Sequence, residues 1–424
     1  MLIPEVLVRM RITMLSVGST GDVRPYVLLG QELQARGHRV TISAFPRFEG
    51  MVTDAGLAFY PIRGSAESMM ASIMEPDTSA FTYLPRLWKG VKDAAPQMLK
   101  DMTDSCKDAD AMVCNFFGSV FYSISEKYNI PCIQTHLFPM DPTGEVPISS
   151  VRNQHLGSLI NKGTYKVGYY TIGTLEKHIL GPWRQENGLT ERKPATRPVY
   201  RVGEHEIPVI CAISPSFFPR PVDWDPRIHM SGFWFDETPN DYQPSPDLME
   251  FLESGKKPIY IGFGSMNTGD MDKLLFICLR SVHAAGLRAV FSTGWGDRTQ
   301  LKSTNTVFFL GDVPHDWLFP RVSAVVHHGG AGTTAAGLRY GRPSLIIPFA
   351  GDQAFWAHQV YRSGSGPKPI PRDSLSIKKM TRALLDLTEN TGYAESAQHV
   401  SKGMAEEHGV RSAADWIEKE VTRW

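Results

Sequence analysis

Residues 322–341 constrain the fold of this chain more than any other stretch. Val322–His327 is a short, β-branched, apolar run, which is typical of a buried strand, and a glycine-rich turn follows at residues 329–332. Thr333 opens a segment of helix-forming residues, and Gly341 stands where helices commonly end in glycine. A strand, a glycine turn and a helix in this order predict an α/β domain. The free N–H groups at the start of such a helix predict an anion site.

A second polar pair follows the next predicted strand. Ser344–Pro348 forms that strand, and Asp352 and Gln353 come shortly after its carboxyl end, where open parallel sheets bind their ligands. A glycine turn alone also occurs in loops that bind nothing. The prediction of a ligand site therefore rests on the whole set of residues at fixed spacing, namely His328, Gly330, Gly332, Thr333, Asp352 and Gln353.

The amino-terminal segment repeats the order of strand, glycine turn and helix. Arg11–Val17 predicts a strand, and a helix is predicted to end at Arg36 before a second strand at Arg39–Ser43. The G-x-G-x-x-G spacing of dinucleotide-binding proteins is absent from the turn between them. Asp22 precedes a helix with proline in its first turn, so the residues alone favour a structural role for Asp22 as helix N-cap.

Two stretches carry a resemblance to a known family. VVHHGGAGTTAAGLRYGRPSLIIPFAGDQ resembles the nucleotide-sugar signature of UDP-sugar-dependent glycosyltransferases with the two-domain GT-B fold. GSTGDVRPYVLLGQELQARGHRVTI, and the wider segment from Val313 to Pro371, are similar to the sterol glucosyltransferases and the related bacterial antibiotic glucosyltransferases. The chain thus resembles that branch of the superfamily.

This resemblance implies an α/β protein in which two Rossmann-like domains face each other across a cleft. We expect residues 1–240 to form the acceptor-binding domain, with a linker from about residue 220 and its last strand at Val209–Ser214. Residues 241–405 are expected to form the nucleotide-sugar-binding domain. Residues 406–424 are expected to form a helix that crosses back to the first domain and docks through Trp416 and Ile417.

The resemblance also implies roles for individual residues. Asp22 matches the aspartate of the G-[ST]-x-G-D motif, which is the proposed catalytic base of relatives, and this role is compatible with a helix cap. Donor contacts are expected from the turns that follow the strands, at Ser19, Thr20, Gly264, Ser265, Val313, His315, His328, Gly330, Gly332, Thr333, Asp352 and Gln353.

An acceptor wall is expected at His136, Phe138 and Met140. Sterol glucosyltransferases usually have M-P-W-T near this point, and this chain has M-D-P-T from Met140 to Thr143. His136 is a second candidate for the base, although a lone histidine is more often structural.

The resemblance implies an inverting, metal-independent transferase. It would move glucose from UDP-glucose to a hydroxyl group of a sterol, steroid, terpenoid or related lipophilic natural product, giving a β-glucoside. The alternatives are another nucleotide sugar, a glycolipid acceptor, or a catalytically silent nucleotide-sugar-binding protein. No cofactor is expected besides the donor substrate, and the D-x-D strings at residues 108–110 and 223–225 are interpreted as turn residues rather than metal ligands.

Composition limits the partners. Lys and Arg total 44, as do Asp and Glu, so the balance gives no indication of a nucleic-acid partner. Five scattered cysteines without a C-x-x-C pair predict buried free thiols. The chain has no apolar run of about 20 residues, which predicts at most peripheral membrane contact. Its first residues lack the apolar core of a signal peptide, so a cytoplasmic location is expected.

Overall fold

The computed structural model describes residues 9–63, 93–115, 119–154, 156–193, 196–237, 241–264, 271–292, 302–311 and 313–424. The strands are β1 Arg11–Leu15, β2 Arg39–Ala44, β3 Ala58–Pro61, β4 Ala111–Asn115, β5 Cys132–His136, β6 Arg201–Val202, β7 His205–Glu206, β8 Val209–Cys211, β9 Ile228–Met230, β10 Ile259–Gly262, β11 Ala289–Ser292, β12 Val307–Leu310, β13 Val325–His327 and β14 Ser344–Ile346. The α-helices are α1 Thr20–Ala35, α2 Glu49–Asp54, α3 Ala95–Ser105, α4 Val120–Tyr128, α5 Ser158–Glu186, α6 Pro246–Glu253, α7 Met271–Ala284, α8 His315–Leu318, α9 Ala331–Arg339, α10 Gln353–Arg362, α11 Ile377–Glu389, α12 Thr391–Ala405 and α13 Gly409–Val421.

Two parallel sheets organise the chain. The first has seven strands in the order β3-β2-β1-β4-β5-β8-β9, and the second has five in the order β12-β11-β10-β13-β14. Within each sheet every pairing is parallel, and the strand order reverses beside β1 and beside β10. Ligands bind at such switch points, outside the carboxyl ends of the strands. The predicted α/β architecture of two Rossmann-like domains is confirmed.

Burial on both faces of the first sheet explains why its central strands do not alternate between apolar and polar residues. All five residues of β4 and of β5 are buried, and neither strand alternates, since β4 is apolar from Ala111 to Cys114 and β5 ends in the buried polar residues Gln134, Thr135 and His136. Helices cover both faces of an all-parallel sheet, which removes the solvent-facing side that would favour alternation. Each sheet consequently has its own apolar core, one around β1 and β4 and the other around β10 and β13.

Aromatic packing joins the two sheets. Phe217 and Phe233 follow strands of the first domain, and both contact the buried indole of Trp356 on α10 of the second. The ring centroids lie 6.4 Å and 5.9 Å from that of Trp356. Phe218 packs edge-on against Phe355 with a centroid distance of 5.4 Å. Buried aromatic contacts of this type contribute more than their area alone and fix the relation between the domains.

The last helix, α13, returns to the first domain and packs on α1. Ile417 is fully buried in the core around β1. At its edge Arg36 Nη1 lies 2.5 Å from Asp415 Oδ1 and 2.9 Å from Glu418 Oε2, while His38 Nε2 lies 2.9 Å from Glu418 Oε1. An apolar contact bordered by ion pairs therefore attaches the carboxyl-terminal helix to the amino-terminal domain.

The extent of the first sheet was predicted wrongly. The sheet does not end at β8, because Ile228–Met230 adds the further parallel strand β9 inside the segment interpreted as linker. The expected domain boundary at residue 240 lies outside the described residues, so that boundary stays a prediction.

The five cysteines are buried and free, as predicted, and no disulfide forms. Cys114 and Cys132 lie on adjacent strands with sulfur atoms 3.7 Å apart. Among the described residues, no helix combines the length and the apolar character that crossing a bilayer requires.

Docking of α13 can be tested by comparing two substitutions two positions apart in the sequence. Ile417→Ala removes a buried side chain, and we expect it to lower the free energy of unfolding by about 2–4 kcal/mol. Asp415→Ala removes a side chain that is 70% exposed, and we expect a cost below about 1 kcal/mol. Urea unfolding followed by intrinsic fluorescence measures both. Equal effects for the two variants would show that α13 is not packed as described.

Candidate active site between the two domains

A capping box places Asp22 at the carboxyl end of β1. Ser19 is the N-cap of α1 and Asp22 is the third residue of the helix. Asp22 Oδ2 accepts hydrogen bonds from Ser19 N at 2.6 Å and from Ser19 Oγ at 2.9 Å. The N-cap role that the sequence favoured for Asp22 is therefore wrong, and Asp22 instead closes the box from inside the helix.

Gly18 makes room for this carboxylate. Its φ is 152°, and a Cβ atom at this position would lie 2.2 Å from Asp22 Oδ2. Any side chain at residue 18 would therefore displace the carboxylate from the start of the helix. Asn115 at the end of β4 fixes the same loop, because its side chain donates to Val17 O at 3.1 Å and accepts from Val17 N at 3.4 Å.

Two opposing effects act on the pKa of Asp22. Burial raises the pKa of Asp22, and the backbone and hydroxyl donors of Ser19 oppose that rise. The position in the first turn of α1 also favours the ionised form through the helix dipole. The result is a carboxylate with a raised pKa that is held in one orientation, which suits an acceptor of protons.

The second domain presents His328 at the carboxyl end of β13. Its ring lies between two glycines, since a Cβ at Gly330 would be 2.6 Å from Nε2 and a Cβ at Gly264 would be 3.3 Å from Cε1. His328 Nδ1 is buried and has no hydrogen-bond partner among the described residues. Burial and the nearby charge of His315 lower the pKa of His328 to about 4. A neutral imidazole with a buried, unpartnered nitrogen indicates a polar group that a ligand supplies.

Helix α9 begins directly beside this histidine. Gly330 is its N-cap without a side-chain cap, and Gly332 and Thr333 lie in its first turn. The N–H groups of that turn point out of the helix end, where the dipole favours negative charge. The anion site predicted from the glycine turn thus has the required backbone geometry.

Asp352 and Gln353 occupy the start of α10. Gln353 Oε1 accepts from Phe349 N at 2.7 Å and from Ala350 N at 3.1 Å, which orders the loop after β14. Asp352 is the N-cap of α10, and its Oδ2 accepts from Trp356 Nε1 at 2.6 Å. Burial, with a smaller contribution from the charge of Asp22, raises the pKa of Asp352 to about 6. Asp22 and Asp352 belong to different domains, so this repulsion acts across the cleft.

The remaining predicted residues fall into three groups. His315 stacks on Phe319 at 4.3 Å and lies 3.5 Å from the Tyr260 hydroxyl, and Val313 packs beside the same aromatic cluster. Thr20 is the first residue of α1. Ser265 lies outside the described residues. All donor-contact roles among these residues stay predictions.

The expected acceptor wall is more enclosed than the sequence indicated. His136 is buried, and its Nδ1 lies 2.7 Å from Asp141 Oδ2, whose other oxygen accepts from the Tyr200 hydroxyl at 2.7 Å. Met140 is also buried, and Phe138 is half-buried against two apolar clusters. The aspartate in M-D-P-T therefore organises a buried polar network, and the acceptor roles of this loop stay predictions.

Aspartate side chains of both D-x-D strings form ion pairs with Arg or Lys. Asp110 binds Arg11 at 2.7 Å, and Asp223 Oδ2 lies 2.8 Å from Lys162 Nζ. Asp225 binds Arg227 at 2.7 Å. The described part of the chain contains no group of three or more His, Cys, Asp or Glu side chains arranged to hold a metal ion.

Sequence reasoning missed Trp356, which holds Asp352 and also contacts Phe217 and Phe233 of the first domain. The signal was present, because Trp356 follows Asp352 by four residues and such residues are neighbours on a helix. Gly18 and Asn115 were also missed as supports of the Asp22 loop.

Trp356→Phe tests the support of Asp352. The variant keeps a ring in the aromatic cluster and removes the N–H donor, so we expect weaker binding of UDP-glucose by about tenfold, together with a lower melting temperature from the smaller ring and the unpaired Asp352 carboxylate. Trp416→Phe is the matched control, because it makes the same change on α13, away from the cleft. Calorimetric titration measures both. Equal affinities for the two variants would contradict a role for the indole in the donor site.

Comparisons with known proteins agree with this geometry. Residues 12–145 match the glycosyltransferase family 28 N-terminal domain, and residues 297–414 match the erythromycin biosynthesis protein CIII-like C-terminal domain. The structure also resembles the glycosyltransferase of kitacinnamycin, with a TM-score of 0.72, 18% identity and coverage of 97% of this chain and 99% of that one. A similar match, with a TM-score of 0.63, 19% identity and coverage of 97% and 100%, is to the Streptomyces sp. SF2575 glycosyltransferase SsfS6 complexed with thymidine diphosphate. These likenesses confirm the GT-B fold.

Sequence relatives are more specific. A sterol 3-beta-glucosyltransferase of Arabidopsis thaliana is 35% identical over 95% of this chain and 64% of its own length. The sterol 3-beta-glucosyltransferase of Pichia angusta is 33% identical over 97% of this chain, which spans only 33% of that protein. A second Arabidopsis thaliana sterol 3-beta-glucosyltransferase is 30% identical over 96% of this chain and 67% of its own length. The chain belongs to the sterol 3-beta-glucosyltransferase family.

Proposed function

We propose that this chain transfers glucose from UDP-glucose to the hydroxyl group of a sterol and forms a β-glucoside with inverted configuration. The placement of Asp22 after β1 and of Asp352 after β14, each beyond the carboxyl end of a strand in a parallel sheet, is the observation that carries the proposal. One carboxylate follows the first strand of the acceptor-side domain, and the other follows β14 of the donor-side domain. A sugar held between them would have its reacting carbon beside the base.

The donor binds in the second domain. The N–H groups at the start of α9 and the neutral ring of His328 face the diphosphate, and no metal ion is needed to balance its charge. Asp352 and Gln353 hold hydroxyl groups of the sugar. Asp352 is oriented for this by the hydrogen bond from Trp356.

The acceptor hydroxyl group reacts from the side of the first domain. Asp22 Oδ accepts its proton while the hydroxyl oxygen attacks the anomeric carbon, on the face opposite the diphosphate. The bond between that carbon and the phosphate oxygen breaks, and UDP leaves with the electron pair. Charge that develops on UDP is stabilised by the first turn of α9.

The test is UDP release from UDP-glucose in the presence of EDTA, against a panel of sterols, steroids, triterpenoids and flavonoids. We expect turnover with sterols, and Asp22→Asn is expected to lower it roughly 10²–10⁴-fold while donor binding is kept. Near-full activity of Asp22→Asn would refute the assignment of the base, and His136 would be tested next.

Other outcomes of this assay separate the alternatives. Turnover only with a different nucleotide sugar would change the assignment of the donor and leave the proposed mechanism unchanged. Turnover only with terpenoids or flavonoids would change the assignment of the acceptor class. UDP binding without turnover for any donor and acceptor would support a silent nucleotide-sugar-binding protein.

The pH dependence of the rate provides a further prediction. Below its pKa Asp22 is protonated and accepts no proton, so kcat falls at low pH. Ser19→Ala removes the hydroxyl donor that lowers the pKa of Asp22, and we expect the acidic limb of the kcat profile to move to higher pH.

Ser16→Ala is the matched control for this profile. The Ser16 hydroxyl donates at 3.0 Å to the backbone oxygen of Asp22 and not to its carboxylate, so the limb is expected to stay in place. If Ser16→Ala moved the acidic limb of the kcat profile as far as Ser19→Ala does, a group other than Asp22 would control the rate.

A further inference from the structure

Exposed apolar side chains concentrate on the first half of α5. Leu159 is 88% exposed, Ile160 59%, Val167 56% and Tyr170 55%. They are four of the seven large hydrophobic side chains that the described residues leave exposed, and they lie within 12 positions. Scattered exposed hydrophobic residues are ordinary, but such a concentration indicates an interaction surface.

Helical spacing places these residues on one side of α5. Ile160, Val167 and Tyr170 follow one another at intervals of seven and three residues, which keeps them on one face. The opposite face carries Tyr165 and Tyr169, which are buried against other residues. Helix α5 is therefore apolar on an inner face and also on an outer face, and only the inner one is packed.

The inner face links α5 to the expected acceptor wall. Tyr165 and Tyr169 share an apolar cluster with Met140, and the Tyr169 hydroxyl donates to Met140 O at 3.2 Å. Phe138 packs against the same cluster. The outer apolar face is consequently one helix diameter from the loop that the sequence assigns to the acceptor.

A positive charge lies at the edge of the outer face. Residues 158–175 contain two lysines, Lys162 and Lys166, and no acidic residue. Lys162 Nζ lies 2.8 Å from Asp223, whereas Lys166 is exposed and has no carboxylate within ion-pair distance among the described residues. Gly157 provides no side-chain cap, so the positive end of the helix dipole adds to this field.

We propose that the outer face of α5, formed by Leu159, Ile160, Val167 and Tyr170 with Lys166 at its edge, docks on the anionic surface of a lipid bilayer. Apolar side chains flanked by lysines are the combination by which a helix lies in the interface between headgroups and acyl chains. The sterol acceptor rests on the proposed function, whereas the docking surface rests on exposure and charge. Docking through α5 would bring the acceptor loop to the membrane that contains such a lipid.

Vesicle co-sedimentation tests this surface directly. We compare the wild type with the triple variant Leu159→Gln, Ile160→Gln and Val167→Gln, on phosphatidylcholine vesicles with and without phosphatidylglycerol. The triple variant is expected to bind mixed vesicles at least about tenfold more weakly. Lys166→Gln is expected to lower binding about fivefold on mixed vesicles and to have little effect on phosphatidylcholine alone.

Phe276→Gln is the matched control, because Phe276 is 59% exposed on α7 of the other domain. It is expected to bind vesicles like the wild type. Circular dichroism confirms that each variant is folded. Unchanged vesicle binding of the triple variant would overturn the proposal. Loss of a dimer in sedimentation velocity with vesicle binding unchanged would overturn it in favour of contact with a second copy of the chain.

Activity measurements separate this proposal from the proposed function. The triple variant is expected to glucosylate detergent-dispersed sterol at the wild-type rate and vesicle-embedded sterol at a reduced rate. Equal losses on both substrates would place the face in the acceptor pocket and overturn the docking proposal. Vesicle binding that depends on α5, together with no turnover of any sterol by the wild type, would support the docking surface and refute the sterol acceptor.

Discussion

Trp356 is the contact on which the relation between the two halves of the cleft depends. Its indole is fully buried between aromatic side chains of the first domain, and its N–H holds the Asp352 carboxylate of the second. The Trp356 side chain therefore provides both the packing contact between the domains and the hydrogen bond to Asp352. Because aromatic clusters occupy discrete arrangements, a change in the domain interface would also reorient Asp352. The orientation of Asp352 and the relation between the domains are physically linked through this residue.

Parallel sheets explain why so few residues build the rest of the cleft. The loops that carry Asp22 and His328 leave the carboxyl ends of β1 and β13, each next to a change in strand order, and the helix that follows directs its N–H groups to the same place. Small residues then allow close approach, as Gly18 does for Asp22 and Gly330 does for His328. A single kind of local geometry therefore positions a carboxylate in one domain and the predicted anion site in the other.

The sequence predicted the fold well where local signals are strong. The strand, glycine turn and helix around His328 and around Asp22 needed only short-range patterns, and the structure has both. Long-range packing decided what was missed. Strand β9 has three residues in a segment rich in proline and aspartate, and only its pairing with β8 makes it a strand. The buried network of His136, Asp141 and Tyr200 joins residues far apart in the sequence, so no local pattern indicated it.

The capping box has a consequence for the reaction cycle. In the proposed reaction Asp22 becomes neutral when it takes the acceptor proton, and its bonds from Ser19 then lose their charge-assisted strength. The start of α1 is least stable at that moment. Restoring the cap requires the proton to leave, so the Ser19 donors favour return of the carboxylate to its ionised state, against the burial that raises its pKa. In the proposed cycle the cap at the start of α1 therefore contributes to preparing the base for the next acceptor.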